Sequence, residues 1–459
     1  MLHILPLSRS ALASAGLRSI YEARVSRSAR AIAASPFAGH KDRMPEPAYD
    51  VIIAGAGMAG ATFALACAHA GFKAALVDPM PFEQQAAETF DGRASAIAYA
   101  SFRQWRVLGA GERLEPFASP IATILVTDGR SPGAAARSPS PFFLRFESEE
   151  IADRSEGEPL GWMIENRRIR AALVQTLAET DVDILAPAAV ARVSVDGARA
   201  RVTLADGREL TAPLVIGAEG RRSVVREAAG IDVVGWDYAQ CGVVATVRMA
   251  EPHGDVAHEY FLPGGPFAIL PLTENRASLV WTEPRRRADA LRSASAEAFH
   301  AHLERRFGDF LGALEVLGPR FVYPLNLSLA ERMTAPRIAL LGDAAHGVHP
   351  IAGQGLNLGL KDAAALAEVL VDASRLGEDT GSELVLERYA RWRRLDNVSL
   401  AAATDLFNRL FSNDLPLVRA MRGVGMAAVN RIGPARRFFM QEAGGGVGDL
   451  PRLLRGEAL

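Results

Sequence analysis

The stretch from Asp50 to Asp78 leaves the chain little freedom in how it begins to fold. Val51 to Ala54 is a short apolar run that reads as a buried parallel strand, and Met58 to Ala70 reads as the helix after it. Between them Gly55, Gly57 and Gly60 form a Gly-x-Gly-x-x-Gly turn. Gly55 makes the tight turn, Gly57 leaves room for a pyrophosphate, and Gly60 lets helix and strand pack closely. The start of the helix then offers unpaired N–H groups to phosphate oxygens. A second strand, Ala74 to Val77, ends at Asp78, which lies 23 residues beyond Gly55. A carboxylate there accepts both hydroxyls of an adenosine ribose and repels a 2'-phosphate. Strand, three glycines, helix, strand and terminal acid in that order predict a dinucleotide-binding unit, which by itself does not distinguish FAD from NAD.

A second glycine-rich segment, Gly342 to Gly355, returns late in the chain. Arg337 to Leu341 reads as an apolar strand that delivers Gly342 and Asp343 to a sheet edge, where ligands collect in open α/β folds. Pro350, Gly353, Gln354 and Gly355 precede an amphipathic helix, about Leu356 to Val371, that carries Asn357 and Asp362. Such glycines permit backbone approach to a flat ring system, and the helix N-terminus stabilises negative charge on it. The two segments together suggest FAD stretched between two helix N-termini, and hence a redox enzyme. His346 and His349 stand beside Asp343, but no third ligand follows at a useful interval, so no metal site is expected.

The bulk properties agree with a globular enzyme. At 459 residues and 49% hydrophobic content the chain can build one large core or two joined domains. A net charge of -2, with both signs interspersed, gives no reason to expect nucleic acid as a partner. Cys67 and Cys241 fit structural thiols in a reducing compartment, and no run of apolar residues is long enough for a conventional spanning helix. The first 44 residues carry seven Lys or Arg against Glu22 and Asp42. They read either as an organellar presequence or as upstream codons preceding a start at Met44; the second reading is preferred, and residues 1–44 are left out of the fold.

The assembled motifs resemble the FAD-dependent aromatic hydroxylases of the para-hydroxybenzoate hydroxylase type, and most closely their ubiquinone-biosynthesis branch. Besides the glycine turn, the resemblance rests on Asp91-Gly-Arg-Ala-Ser-Ala-Ile-Ala98, Ile164-Glu-Asn-Arg-Arg-Ile169, Val215 to Arg226 and the Gly342 to Asp362 block. It covers Tyr49 to Asp396. It implies an α/β fold in which a Rossmann-like FAD-binding domain of the glutathione-reductase type (residues 45–125, 160–230 and 325–375) is interleaved with an antiparallel substrate-side sheet (126–159 and 231–324), followed by a helical C-terminal region (376–459). It further implies that Gly55, Gly57, Gly60, Asp78, Arg93, Asn166, Asp343, Gly353, Gly355 and Asn357 hold FAD. Arg93, Pro350, Gly353, Gln354 and Gly355 would set the charge and position of the flavin at the catalytic centre. Asn166, at the predicted N-cap of a helix over Arg167 to Glu179, has a structural explanation nearly as good. Glu219 departs from the family, whose members commonly carry Asp at this point. Arg222 and Arg226 are open to three readings: cofactor binding, nicotinamide binding, or solvated helix positions.

Between Ile231 and Pro324 short alternating segments, Gly242 to Met249, His258 to Leu262, Phe267 to Pro271 and Ala277 to Thr282, read as antiparallel strands. Phe261, Phe267, Ile269 and Tyr323 are the candidate lining of an apolar pocket for a ring bearing a prenyl tail, with core packing as the alternative for each aromatic. Thr404 to Met440 carries six Arg against Asp405 and Asp414 among aliphatic and aromatic residues, which suits either helix docking or a peripheral membrane surface.

The function implied is FAD-dependent monooxygenation of an aromatic quinone precursor with O2, reducing power coming from NAD(P)H or an electron-donor protein, in contact with other ubiquinone-biosynthesis proteins. The expected location is cytoplasmic and peripheral on the inner membrane, or the mitochondrial matrix if the leader is a genuine presequence. The alternatives are a related hydroxylase for another metabolite and a flavin- or lipid-binding accessory protein without activity.

Overall fold

The computed structural model describes residues 49–87, 89–128, 143–150, 158–262, 264–308, 310–348, 353–411 and 448–459. The leader, Pro350 and all of the Arg-rich segment after Phe411 lie outside them. The first strand β1 (Val51–Ala54) is followed by helix α1 (Met58–His69), β2 (Ala74–Val77), β3 (Ala94–Ala98), β4 (Thr123–Asp128), β5 (Phe143–Glu147) and β6 (Gly161–Glu165). Helix α2 (Asn166–Ala178), β7 (Asp183–Leu185) and β8 (Leu214–Gly217) complete this half. The second half runs through β9 (Val233–Met249), β10 (Val256–Leu262), β11 (Gly265–Leu272), β12 (Arg276–Pro284), α3 (Arg285–Ser293), α4 (Ala296–Phe307) and β13 (Leu314–Ala330). The chain then returns through β14 (Ile338–Leu340), α5 (Gln354–Arg375) and α6 (Glu383–Phe411).

Strands β14, β8, β1, β2 and β7 lie side by side and parallel, and Thr334–Ala335 closes one edge antiparallel. Val51 to Ala54, Ala74 to Val77 and Leu214 to Gly217 are buried at every position, because helices and a small three-stranded sheet cover both faces. Burial on both faces is what makes these strands continuous apolar runs. The carboxyl ends of β1, β8 and β14 lead directly into Gly55, Ala218 and Leu341, so both glycine-rich segments emerge at one edge of the sheet.

The larger sheet has eight strands, ordered His346–Gly347, β13, β9, β12, β11, β10, β4, β5. All neighbours are antiparallel except β4 and β10. One face is packed by Ala288 and Leu291 of α3 and Phe299, Leu303 and Phe307 of α4, which form a core with Val243, Tyr260, Phe267, Ile269 and Trp281. The other face turns toward the nucleotide-binding half, where Ala257 and Leu272 join the main core. Alternation along each strand therefore sorts its residues between a helix-covered core and the surface that meets the first half. Among the described residues no helix is long and apolar enough to cross a membrane.

Candidate active site

The first glycine turn is held by contacts that admit no side chain. Gly55 has φ +99°, and a Cβ there would lie 2.4 Å from the Ala218 carbonyl oxygen. At Gly60 a Cβ would lie 2.0 Å from the Gly55 oxygen. Gly57 is different: nothing lies within 4 Å of a Cβ at this position, so the space beside it is open. Gly57 is also the N-cap of α1, which has no side-chain cap and no acidic residue in its first turn. Its first N–H groups are thereby left without a competing carboxylate, as a phosphate site requires. Asp78 stands at the end of β2, but its oxygens already accept from main-chain N–H groups: Oδ2 from Ala56 at 2.7 Å and Oδ1 from Met80 at 2.8 Å. It ties the turn to β2, and any ribose contact must use the lone pairs that remain.

The second segment is anchored from below. Gly342, Asp343 and Ala344 form a 3-10 turn after β14, and Asp343 reaches outward with half of its side chain exposed and Arg221 Nε at 3.4 Å. Beneath it Asp362 of α5 is fully buried. Asp362 Oδ2 accepts from the Gly342 N–H at 3.1 Å and meets His346 Nε2 at 2.5 Å, while Oδ1 accepts from Arg393 Nε at 2.8 Å. Burial opposes ionisation of this carboxyl, yet His346 and Arg393 hold it well down, at about 2. Arg393 also donates to Asp396 at 2.6 Å and to Asn397 at 3.0 Å, so α6 is bolted to the turn. Sequence reasoning noted Asp362 only as a polar helix residue and missed Arg393, whose partner lies 31 positions away with no local signal.

Arg226 is not a solvated helix position. It is buried, and it donates to the carbonyls of Ala344 at 3.1 Å and Arg221 at 2.7 Å, clipping the Gly220 loop to the Asp343 turn. Arg222 is exposed. The longer Glu219 folds back on its own loop, accepting from Ser223 Oγ at 2.5 Å and from the Val225 N–H at 3.2 Å. Burial raises its pKa despite these bonds.

Gly353 has φ +64° and is the N-cap of α5, with Gln354 and Gly355 in the first turn; a Cβ on Gly353 would press to 3.0 Å of the Ala96 Cβ on β3. Asn357 requires correction as a cofactor ligand. It is 1% exposed, its Oδ1 accepts from the Ala98 N–H at 2.9 Å, and its Nδ2 donates to the carbonyls of Ala96 at 2.8 Å and Gly353 at 3.4 Å. With both amide ends committed to the main chain, Asn357 staples β3 to the helix and positions Gly353. Asn166 is corrected in its place: Glu165 is the N-cap of α2, and Asn166 is the first helical residue. Its Oδ1 accepts from Ser95 Oγ at 2.7 Å, and its N–H donates to Arg93 O at 2.9 Å. It supports β3 from the other side.

Arg93, just before β3, pairs with Asp91 at 2.9 Å, and its guanidinium lies 5.6 Å from the centre of the Tyr323 ring. Tyr323 donates to Asp91 O at 3.4 Å, and a Cβ on Gly92 would collide with Phe321. The beginning of β3 thus touches the large sheet and its middle touches Gly353. On that sheet Tyr323 pairs with Gly242, opposite in parity to the core residues Val243 and Val247, and so lies on the face toward the nucleotide-binding half. Phe261 shares the parity of Ala257 and lies on the same face. Phe267 and Ile269 do not. Both are 0–1% exposed in the core beneath α3 and α4, so their assignment to the substrate lining is corrected: they lie on the face of the sheet turned away from the nucleotide-binding half. Glu259, which sequence reasoning passed over, shares this face between Ala257 and Phe261; its even spacing from Phe261 was the available signal.

An open cradle at Gly57, an uncapped helix start, Asp78 at the strand end and a left-handed Gly353 together fit an extended dinucleotide. A family model described as FAD binding domain matches residues 48–401. The chain is 44% identical to ubiquinone hydroxylase UbiL of Rhodospirillum rubrum over 93% of this chain and 96% of that protein. It is 34% identical to 3-demethoxyubiquinol 3-hydroxylase of Escherichia coli over 86% of this chain and 98% of that protein. The fold is shared with p-nitrophenol 4-monooxygenase PnpA of Pseudomonas putida, at a TM-score of 0.71 and 19% identity over 87% of this chain and 99% of that one. The chain therefore belongs to the FAD-dependent monooxygenase family, in the branch that contains the ubiquinone-biosynthesis hydroxylases.

Proposed function

We propose that this protein inserts one oxygen atom of O2 into the ring of a polyprenyl-phenol precursor of ubiquinone. FAD supplies the redox chemistry when bound, and the protein supplies binding, orientation and exclusion of water. Gly55, Gly57, Gly60 and the start of α1 would hold the phosphates, with Asp78 at the ribose and Asp343 on the opposite turn. Gly353, Gln354 and Gly355 would present main-chain N–H groups at the reactive end. Arg93 keeps a positive charge at the junction of the two halves, where it can stabilise an anion.

The observation that carries this reading is the convergence on β3. Gly353 packs on Ala96, and Arg93, just before the same strand, meets Tyr323 of the large sheet. A ring held against that sheet would lie beside the turn proposed to face the flavin. The electron donor is NAD(P)H acting directly or through a protein partner; NAD(P)H oxidation by the yellow protein, with and without a reductase, separates the two. The substrate is tested by profiling quinone intermediates in a strain lacking its own hydroxylases and expressing this chain. One under-hydroxylated precursor should disappear on expression, and an unchanged profile would overturn the assignment.

A further inference from the structure

Glu259 has no role in the scheme above, and its surroundings call for one. It lies on β10 between Ala257 and Phe261, on the face turned toward the nucleotide-binding half. The residues level with it across the sheet are Val126 on β4, Ala268 on β11, Val280 on β12, Val244 on β9 and Phe321 on β13. Glu259 is the only one of the six that can ionise. It makes no hydrogen bond or ion pair among the described residues, whereas buried carboxylates elsewhere in the fold, such as Glu283 and Asp362, hold cations. The residue keeps partial exposure between buried neighbours, Ala257 and His258 on one side and Tyr260 and Phe261 on the other, as a group looking into a narrow recess does. An unpaired carboxyl in an apolar recess costs stability, and sheet packing alone would favour an aliphatic residue there.

We propose that Glu259 is a substrate-positioning residue that hydrogen-bonds a ring hydroxyl of the aromatic substrate in the cleft, selecting phenols over their ethers. The proposal rests on the reading of the substrate as a phenol. Burial pushes the Glu259 carboxyl up to about 8, so near neutrality it is largely protonated and can both donate to and accept from a hydroxyl. An ether oxygen can only accept, and it adds a methyl group where the recess must close. The apolar wall of Val126, Ala268 and Phe261 leaves the carboxyl as the feature that orients the ring, since alkyl contacts permit rotation.

The test is a binding titration of the FAD-loaded protein with a short-tailed 2-prenylphenol and its O-methyl ether, read by perturbation of the flavin absorbance. Wild-type protein should bind the phenol at least about tenfold more tightly than the ether. Glu259→Leu should bind the two equally while keeping its FAD spectrum and an unreduced melting temperature. Glu259→Gln, which retains a donor and an acceptor, should recover part of the preference. A preference undiminished in Glu259→Leu would overturn the proposal and leave the phenol assignment standing. Loss of FAD or a lowered melting temperature in both variants would show a structural role and overturn it as well. If neither ligand perturbs the wild-type flavin, the phenol assignment itself fails, and the proposal with it.

Discussion

Asp362 and Arg393 form an ion pair at 2.8 Å in which both side chains are withdrawn from solvent, at 0% and 2% exposure. Through the other oxygen of Asp362 the pair holds the Gly342 N–H and His346, so a charge on α6 reaches the turn that carries Asp343. Breaking one side of a buried pair leaves the other charge uncompensated. Asp362→Ala should therefore cost about 3–5 kcal/mol, seen as a lower melting temperature. Replacing both, as Asp362→Leu with Arg393→Met, should cost less than Asp362→Ala alone, and a larger loss in the double variant would contradict this account.

The same carboxyl sets a pH limit. Its folded pKa, about 2, lies below the ordinary value of 3.8, so its stabilising contribution is present above the ordinary value and is lost as pH falls toward the folded one. Acid unfolding followed by circular dichroism should accordingly begin at a higher pH in Asp362→Asn than in the wild type.

Gly55 and Gly57 are predicted to behave differently although both belong to one motif. Gly55→Ala meets main chain at 2.4 Å in a left-handed conformation and should destabilise the protein whether or not FAD is present. Gly57→Ala meets no protein atom within 4 Å, so the flavin-free protein should melt within about 0.5 kcal/mol of wild type while FAD binds at least about tenfold more weakly. Fluorescence titration with FAD and melting of the apoprotein separate the two effects.

Arg93 is half exposed, with 47% of its side chain accessible, and its pair with Asp91 is open to water. Arg93→Met should change stability by no more than about 1 kcal/mol. If its charge serves the flavin, the variant will show a more negative flavin reduction potential; an unchanged potential would reduce Arg93 to a surface ion pair.

The sequence was most readable where structure is decided locally. Strand β1, the three glycines, α1, β2 and Asp78 all fall within one short segment, and each needs only its neighbours to be interpreted. Asn357 misled because a polar residue near a glycine-rich helix start looks like a ligand contact, whereas its partners, Ala96 and Ala98, lie about 260 residues earlier. Phe261 and Phe267 looked equivalent for another reason. Both faces of this sheet are apolar, so alternation cannot say which one α3 and α4 will cover, and that choice depends on helices that follow in the chain. Arg393 had no legible signal at all, since a mid-helix arginine is ordinarily solvated and only the tertiary fold brings Asp362 to it.

Glu259 yields a prediction about stability that is separate from ligand binding. Its folded pKa, about 8, lies above the ordinary value of 4.5, so the fold favours the protonated form. The sign follows directly: the contribution is fully present below about 4.5 and is lost as pH rises through about 8. The same-face neighbours on the two flanking strands, Val126 and Ala268, and Ala257 and Phe261 on its own strand, carry no charge that would reverse this. Wild-type melting temperature should fall across that interval more steeply than that of Glu259→Gln, which has no proton to lose, with the curves closest at the acid end. Parallel curves would mean that the carboxyl is solvated in the folded protein, and the recess would then be wider than its apolar walls suggest.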